Sequence, residues 1–172
     1  MRISNKIIET VVKAVAGEDV VTLVDYLKDK KNISEFKIAE KIKKEVNETR
    51  NMLYRLHSAN LVTFIRRKDK KKGWYIYYWT FNKKIVKYLF LSLKRKKLES
   101  LQERLKRENS SDFFLCEDKC IRLDFEQATD FGFKCPECGK ILNQDHNEEK
   151  ILEIEKEITA LEKELKDYEK GS

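Results

Sequence analysis

One proline and five glycines punctuate 172 residues, a scarcity that excludes a sandwich of many short strands and tight turns and favours long helices. No run of about 18 apolar residues occurs, so no membrane-spanning helix is expected. Residues 1–15 also lack the apolar core and small-residue cleavage site of a secretory signal. A soluble, intracellular (cytoplasmic) chain is the expectation. There are only two histidines, and neither sits in a cluster. No Ser/His/Asp or Cys/His set, glycine-rich phosphate loop or open metal site is visible, which argues against an enzyme.

What is present is apolar material for a buried core (41% hydrophobic) and abundant charge (39%). The net +7 conceals a split: residues 1–110 carry 28 Lys and Arg against 13 Asp and Glu, whereas residues 111–172 carry 9 against 17. A basic half suits a polyanion, and nucleic acid is the leading one; the acidic half suits a different partner or the basic half itself.

In the N-terminal half, Ile3, Ile7, Ile8, Val11, Val12 and Val15 recur at helical spacing, with Ser4 as a cap and Gly17 as the stop. A second helix is expected over 19–30, with Val20, Leu23, Val24 and Leu27 inward. Asn32-Ile-Ser34 then breaks the chain and caps a short third helix whose inner face is Phe36, Ile38, Ala39 and Ile42. The fourth, over about 47–58, buries Val46, Met52, Leu53 and Leu56 and offers Asn47, Arg50, Asn51, Arg55 and His57 to a groove. Glu45 and Glu48 at its start would repel phosphates there. Asn60 ends it. Two β-rich runs follow, Leu61–Ile65 and Trp74–Phe81, joined by a tip of Arg66, Arg67, Lys68, Asp69, Lys70, Lys71, Lys72 and Gly73. Helices and then a hairpin with a basic tip is the order of a winged helix-turn-helix.

The lysine-rich tip reads either as a solvated turn that keeps an edge hairpin soluble or as a phosphate contact, with Arg66, Arg67, Lys68, Lys70, Lys71 and Lys72 as the candidate nucleic-acid residues. Alternation along the second run places Trp74, Ile76 and Tyr78 on one face and Tyr75, Tyr77, Trp79 and Phe81 on the other. Both faces are apolar, and a small domain buries only one. The other is covered by the following helix or docks on a partner, and exposed rings there would also stack unpaired bases.

Residues 83–107 read as one long helix with Leu91, Leu98 and Leu105 seven apart and Leu101 between. Near the end, Ile151, Ile154, Ile158, Leu161, Leu165 and Tyr168 alternate spacings of three and four. The first helix is basic and the second acidic, so they either pair antiparallel or the second seeks another protein. Between them stand Cys116-Glu-Asp-Lys-Cys120 and Cys135-Pro-Glu-Cys138-Gly. Two close cysteine pairs in an intracellular chain favour a metal over disulfides. Cys116, Cys120, Cys135 and Cys138 suit one tetrahedral Zn²⁺ whose positions are all filled, hence structural; His146 is a lesser candidate ligand. A segment of about 35 residues has too little core to fold unaided, and Phe113, Phe114, Phe125, Phe131 and Phe133 are expected around the stapled strands.

The fold class that results is mainly α with small β elements: a winged helix over 1–82, a long linker helix over 83–110, a zinc ribbon over 111–146 and a coiled-coil-like helix over 147–172. Arg50-Asn-Met-Leu-Tyr-Arg-Leu56, Gly73-Trp-Tyr-Ile-Tyr-Tyr-Trp79, and Cys120-Ile-Arg-Leu-Asp-Phe-Glu-Gln-Ala128 running into Phe131-Gly-Phe-Lys-Cys-Pro-Glu-Cys138 resemble the archaeal transcription factor E alpha (TFIIE alpha) family. The Arg-x-x-Phe-x-x-Ala stretch is the specific part, since generic zinc ribbons share only the cysteines. The resemblance implies a nucleoid-associated factor that binds the clamp and stalk of RNA polymerase. It implies work alongside the TATA-binding protein and transcription factor B in TATA-box recognition, promoter opening and open-complex stabilisation. Wing contact with non-template strand promoter DNA is implied too, with Trp74, Tyr75, Tyr77 and Trp79 as polymerase-binding candidates; the need for a beta-type subunit stays open. The competing reading is a dimeric, sequence-specific repressor with the cysteines as a metal sensor and 151–168 as its dimerisation helix.

Overall fold

A computed structural model describes residues 4–69 and 73–170; Ile3 and Lys70, Lys71 and Lys72 fall outside them. The chain forms two compact units, Met1–Leu93 and Lys94–Ser172.

The first unit is built as amphipathic spacing dictates. Helix α1 (Asn5–Ala16) starts where Ser4 accepts from the Ile7 amide (3.3 Å) and buries Ile8, Val11, Val12 and Ala16. Gly17 (φ 103) ends it where only glycine fits: a Cβ would stand 2.7 Å from an Asp19 carboxylate oxygen and 2.8 Å from the Arg55 guanidinium. The expected second helix is interrupted, a 3₁₀ turn (Glu18–Val20) leading into α2 (Val21–Leu27). Ser34 caps α3 (Glu35–Ile42), which Lys43 closes with φ 55. Helix α4 (Val46–Ser58) buries Met52, Leu53 and Leu56, while Val46, expected inward with them, is half-buried at the first turn.

Strands β2 (Val62–Lys68) and β3 (Tyr75–Phe81) form the wing hairpin, and a two-residue strand β1 (Ile33–Ser34) pairs with the base of β3, so the sheet order is β1-β3-β2. This winged helix carries its core between α1, α2, α4 and the sheet base, where Leu23, Leu27, Leu53, Leu56 and Trp79 lose essentially all solvent contact. Helix α5 (Lys83–Ser110) contributes Val86 and Phe90 to the buried set.

In the second unit β4 (Phe113–Cys116) is central to an antiparallel sheet of order β5-β4-β6, with β5 at Arg122–Asp124 and β6 at Leu142–Asp145. Between β5 and the second cysteine pair lies α6 (Phe125–Asp130), opened by a capping box in which Asp124 and Gln127 satisfy each other's backbone amides. Helix α7 (Glu148–Lys170) runs antiparallel to the second half of α5: Leu101, Ile154 and Leu161 form a buried seam flanked by Leu98, Leu105 and Ile158. Lys94 reaches Glu164 (2.7 Å) and Lys97 reaches Glu157. The heptad seam of the last helix is therefore filled within the chain, which removes the surface that a dimerisation helix would need.

Candidate interaction surface and metal centre

Helix α4 stands where a winged-helix protein carries its groove-reading element, yet its arginines are engaged inside the unit. Arg50 makes a two-pronged bond to Glu35 (3.0 and 2.7 Å), whose side chain is fully buried at the start of α3. Arg55 donates to the Ala16 carbonyl (2.6 Å) and grips Asp19, closing the C-terminus of α1. Hydrogen bonds from these partners push both guanidinium pKa values up and hold Asp19 below the usual carboxylate range. His57 packs against the rings of Phe64 (5.3 Å) and Trp79 (6.2 Å). Of the five groove-facing candidates, only Asn47 and Asn51 have no such engagement, and Glu48 at the helix start is bonded to Lys44.

The aromatic strand divides along its length rather than by face. Trp79 and Phe81, at the base, are buried, whereas Trp74 and Tyr75, near the tip, are each 52% exposed and Tyr77 is half-buried. Trp79 is thus a core residue packed on Tyr54, Phe64 and Tyr77, and the expectation that it lies on a docking surface is corrected. Cover for the strand base comes from α2, α3 and α4. The register sets Phe64 opposite Trp79, Arg66 opposite Tyr77 and Lys68 opposite Tyr75, so one face of the outer wing alternates cations with rings. Arg66 lies 4.9 Å from the Tyr75 ring centre, and on the other face Arg67 lies 5.6 Å from that of Tyr78. Arg66, Arg67 and Lys68 are exposed.

A concavity of about 360 Å³ opens between this end of the wing and the start of α4. Phe36, Glu45, Val46, Asn47, Arg50, Trp74 and Tyr75 line it. It is a ring-walled recess of the sort that receives a partner's side chain.

In the ribbon, both cysteine pairs sit on tight turns whose backbone closes on itself. Lys119 donates its amide to the Cys116 carbonyl (2.8 Å) from the left-handed conformation (φ 57), which absorbs the third intervening residue. Gly139 (φ 75) donates to the Cys135 carbonyl (2.7 Å). The four sulfurs lie within 4.8 Å of one another, Cys116 and Cys135 buried and Cys120 and Cys138 exposed, and His146 is not among them. A tetrahedral ion with bonds of about 2.3 Å needs sulfurs about 3.8 Å apart, and the Cys116–Cys138 separation is 3.4 Å, so the set can hold a metal ion.

Without a cation the four sulfurs do not all carry charge. Burial opposes charge on Cys116, but donation from Cys138 and from the Asp118 and Cys120 amides brings it down to about 7. Cys120, holding its proton toward Cys138, is pushed up to about 12. Four thiolates at this spacing coexist only around a cation.

Around this centre, Cys116, Leu123, Ala128, Cys135 and Leu142 form the ribbon core, with Phe114, Ile121 and Phe133 against it. Phe125, although 55% exposed, meets the rings of Phe114 and Phe133, whereas Phe131 is 50% exposed and makes no ring contact among the described residues, so the expectation that it packs there fails. Arg122 is the hub that sequence reasoning missed. It binds Glu108 at the end of α5 through both oxygens (2.9 and 2.8 Å), Asp145 at the end of β6 (2.6 Å) and the Phe113 ring face (3.9 Å). Asn147 adds a bond to Glu108 (2.8 Å). The Arg-x-x-Phe-x-x-Ala spacing is legible in these terms: ion-pair hub, ring cluster, buried helix face.

A winged helix whose helix α4 is internally engaged, with a four-thiol ribbon after it, defines a transcription protein of the winged-helix class. In fold it is similar to a solved possible transcriptional regulator from Methanosarcina mazei (TM-score 0.50, 15% identity, 58% of this chain and 87% of that one). In sequence it is similar to transcription factor E of Metallosphaera sedula (36% identity over 90% of this chain and 92% of the relative) and of Pyrococcus abyssi (35%, 94% and 85%). That of Methanocaldococcus jannaschii is 34% identical, over 84% and 83%. The TFIIE alpha subunit model matches residues 6–110, and the chain belongs to that family. It is a transcription initiation factor and not an enzyme. Among the described residues no helix is long and apolar enough to cross a membrane.

Proposed function

We propose that the chain docks on the clamp and stalk of RNA polymerase through the outer half of its wing. There it acts with the TATA-binding protein and transcription factor B to aid TATA-box recognition, open the promoter and hold the non-template strand. The observation that carries this reading is the division of the wing. Trp74, Tyr75 and Tyr77 stand outside the core beside Arg66, Arg67 and Lys68, while Arg50 and Arg55 of α4 are spent on internal ion pairs. Rings give a partner protein large, low-entropy contacts, and rings interleaved with cations grip unpaired bases without reading them. Cys116, Cys120, Cys135 and Cys138 hold one structural Zn²⁺; with every position sulfur-filled, the metal staples the ribbon and leaves no place for substrate water.

The test is co-elution of the full chain with purified polymerase. Trp74→Ala with Tyr75→Ala is expected to weaken association at least tenfold with the melting temperature unchanged. Undiminished co-elution would remove the wing from the interface.

A further inference from the structure

The wing is not the only cationic surface of the first unit. The turn after α2 carries Lys30 and Lys31, α3 presents Lys37 and Lys41 four residues apart on its solvent side, Lys43 closes α3, and α5 opens with Lys83 and Lys84. They line two open concavities. One, about 440 Å³, is walled by Tyr26, Lys37, Glu40, Lys41 and Lys43; the other, about 410 Å³, is walled by residues 28–31 and 81–84. Lys30 joins the two, since it lines the second while its ammonium lies 3.3 Å over the Tyr26 ring of the first.

The carboxylates nearby do not balance this charge. Asp25 is taken by Lys28 (2.8 Å) and Asp29 by Lys83 (2.6 Å), which holds the Asp29 carboxyl below its usual range. Glu40 is the other acid in the walls. Lys31, Lys37, Lys41, Lys43 and Lys84 make no ion pair among the described residues. On α3 Lys37 and Lys41 repel at i, i+4, with Glu40 the single acid in the same wall, so the walls as a whole keep an excess of positive charge. A polyanion converts that repulsion into attraction.

We infer that this face binds the phosphate backbone of double-stranded DNA without reading its sequence. Lysines are point charges on flexible stems and select no base edge. Duplex rather than single strand follows from the rings. The two aromatic residues in the walls are Tyr26, covered by Lys30, and Phe81, which is buried, so the face has no stacking platform of the kind that single-strand binding uses. A duplex, with one charge per about 1.7 Å, matches clustered cations instead. The wing and this face thus take different nucleic-acid forms.

The full chain is titrated onto a fluorescent 30-bp duplex of arbitrary sequence, and onto one of its strands, from 50 to 200 mM salt. The exposed Lys31, Lys37, Lys41 and Lys84 are replaced together by Gln, and circular dichroism verifies the fold. The salt slope of duplex binding is expected to flatten by about 3 to 4, at about 0.9 per lost phosphate contact. Duplex affinity at 50 mM salt falls at least 30-fold and single-strand affinity less than threefold. Lys37→Gln with Lys41→Gln alone, which serves if the fourfold variant does not fold, flattens the slope by about 2. An unchanged duplex slope overturns the inference, as does an equal loss for the single strand. Lost polymerase co-elution with duplex binding intact also overturns it and gives the patch to an acidic protein surface. Polymerase binding by the Trp74 and Tyr75 variant is a separate readout, so failure of the wing reading is distinguishable.

Discussion

Replacing Arg122 with Ala tests whether the ribbon unit is held by a buried ion-pair hub. The wild-type guanidinium makes two bonds to Glu108 and one to Asp145, and Glu108 is 7% exposed. Truncation leaves the Glu108 carboxylate buried with Asn147 as its neutral donor, while Asp145 keeps Lys150 at 2.6 Å. Removing one partner of a fully buried pair costs about 3–5 kcal/mol. Because Arg122 is 26% exposed and Asp145 stays paired, the expected loss is about 2–3 kcal/mol, or about 10–20 °C for a unit of this size.

Urea unfolding followed by ribbon-specific amide signals gives the number, and the pH dependence gives the mechanism. Arg122 holds the Glu108 carboxyl below its ordinary 4.5, and burial of Asp145 is outweighed by Lys150 and Arg122, which hold it below 3.8. Groups with lowered folded pKa values contribute stability that is complete above the unfolded values and is lost as pH falls through the folded ones. The variant lacks that cation, so its Glu108 gains by protonation. The wild-type advantage should therefore shrink between about pH 5 and pH 3. Because metal loss itself melts the ribbon, the comparison is confined to pH values at which both proteins keep their metal. A loss below about 0.5 kcal/mol, the ceiling for an ordinary surface change, or an advantage independent of pH, would show that Arg122 is a surface contact and refute the hub.

Two other changes probe the two cores. Cys135→Ser is expected to drop bound zinc from one per chain to near zero by atomic absorption and to melt the ribbon while the winged helix keeps its amide dispersion, since structural zinc supplies about 10–16 kcal/mol of folding free energy; one zinc retained per chain would contradict it. Trp79→Ala should cost about 3–5 kcal/mol. Trp79→Phe keeps a ring and removes an indole N–H that finds no acceptor among the described residues, so it should cost under about 1.5 kcal/mol; chemical denaturation of both separates a core tryptophan from a docking one.

Much of this was legible in residue spacing. The helical periods of α1 and α4, the Ser4 and Ser34 caps and the cysteine pairs each rest on local chemistry, and local chemistry survives folding. The pairing of α5 with α7 was half legible: the sequence carried complementary seams and charges but not the choice between an internal and an external partner. The burial of Trp79 was not legible, because alternation assigns a residue to a face and says nothing of depth along the strand. Depth is set by the helices α2, α3 and α4 that cover the strand base and by β1, whose two residues pair with Tyr78 and Trp79, long-range contacts that no local period carries. Helix α6 had a readable signal in Asp124-x-x-Gln127, a capping box beside the second cysteine pair. The roles of Arg50 and Arg55 depend on Glu35 and Asp19, which lie 15 and 36 residues away, beyond any local pattern.

Those two arginines decide what kind of nucleic-acid contact the first unit can make. A helix that discriminates bases needs cations or amides free to fork onto purine edges. Here Arg50 completes the burial of Glu35 and Arg55 closes α1 over Gly17. Withdrawing either one would leave a buried carboxylate or a helix carbonyl unmatched before any contact with a base was gained. Cations without an ion pair among the described residues, Lys31, Lys37, Lys41, Lys43 and Lys84 with Arg66, Arg67 and Lys68 of the wing, lie in the turn after α2, on and just after α3, at the start of α5 and on β2, and such exposed cations suit phosphates and not base edges. Sequence discrimination by this unit alone is therefore expected to be weak, and on the proposed reading its position on a promoter comes from a protein assembly docked on the exposed rings.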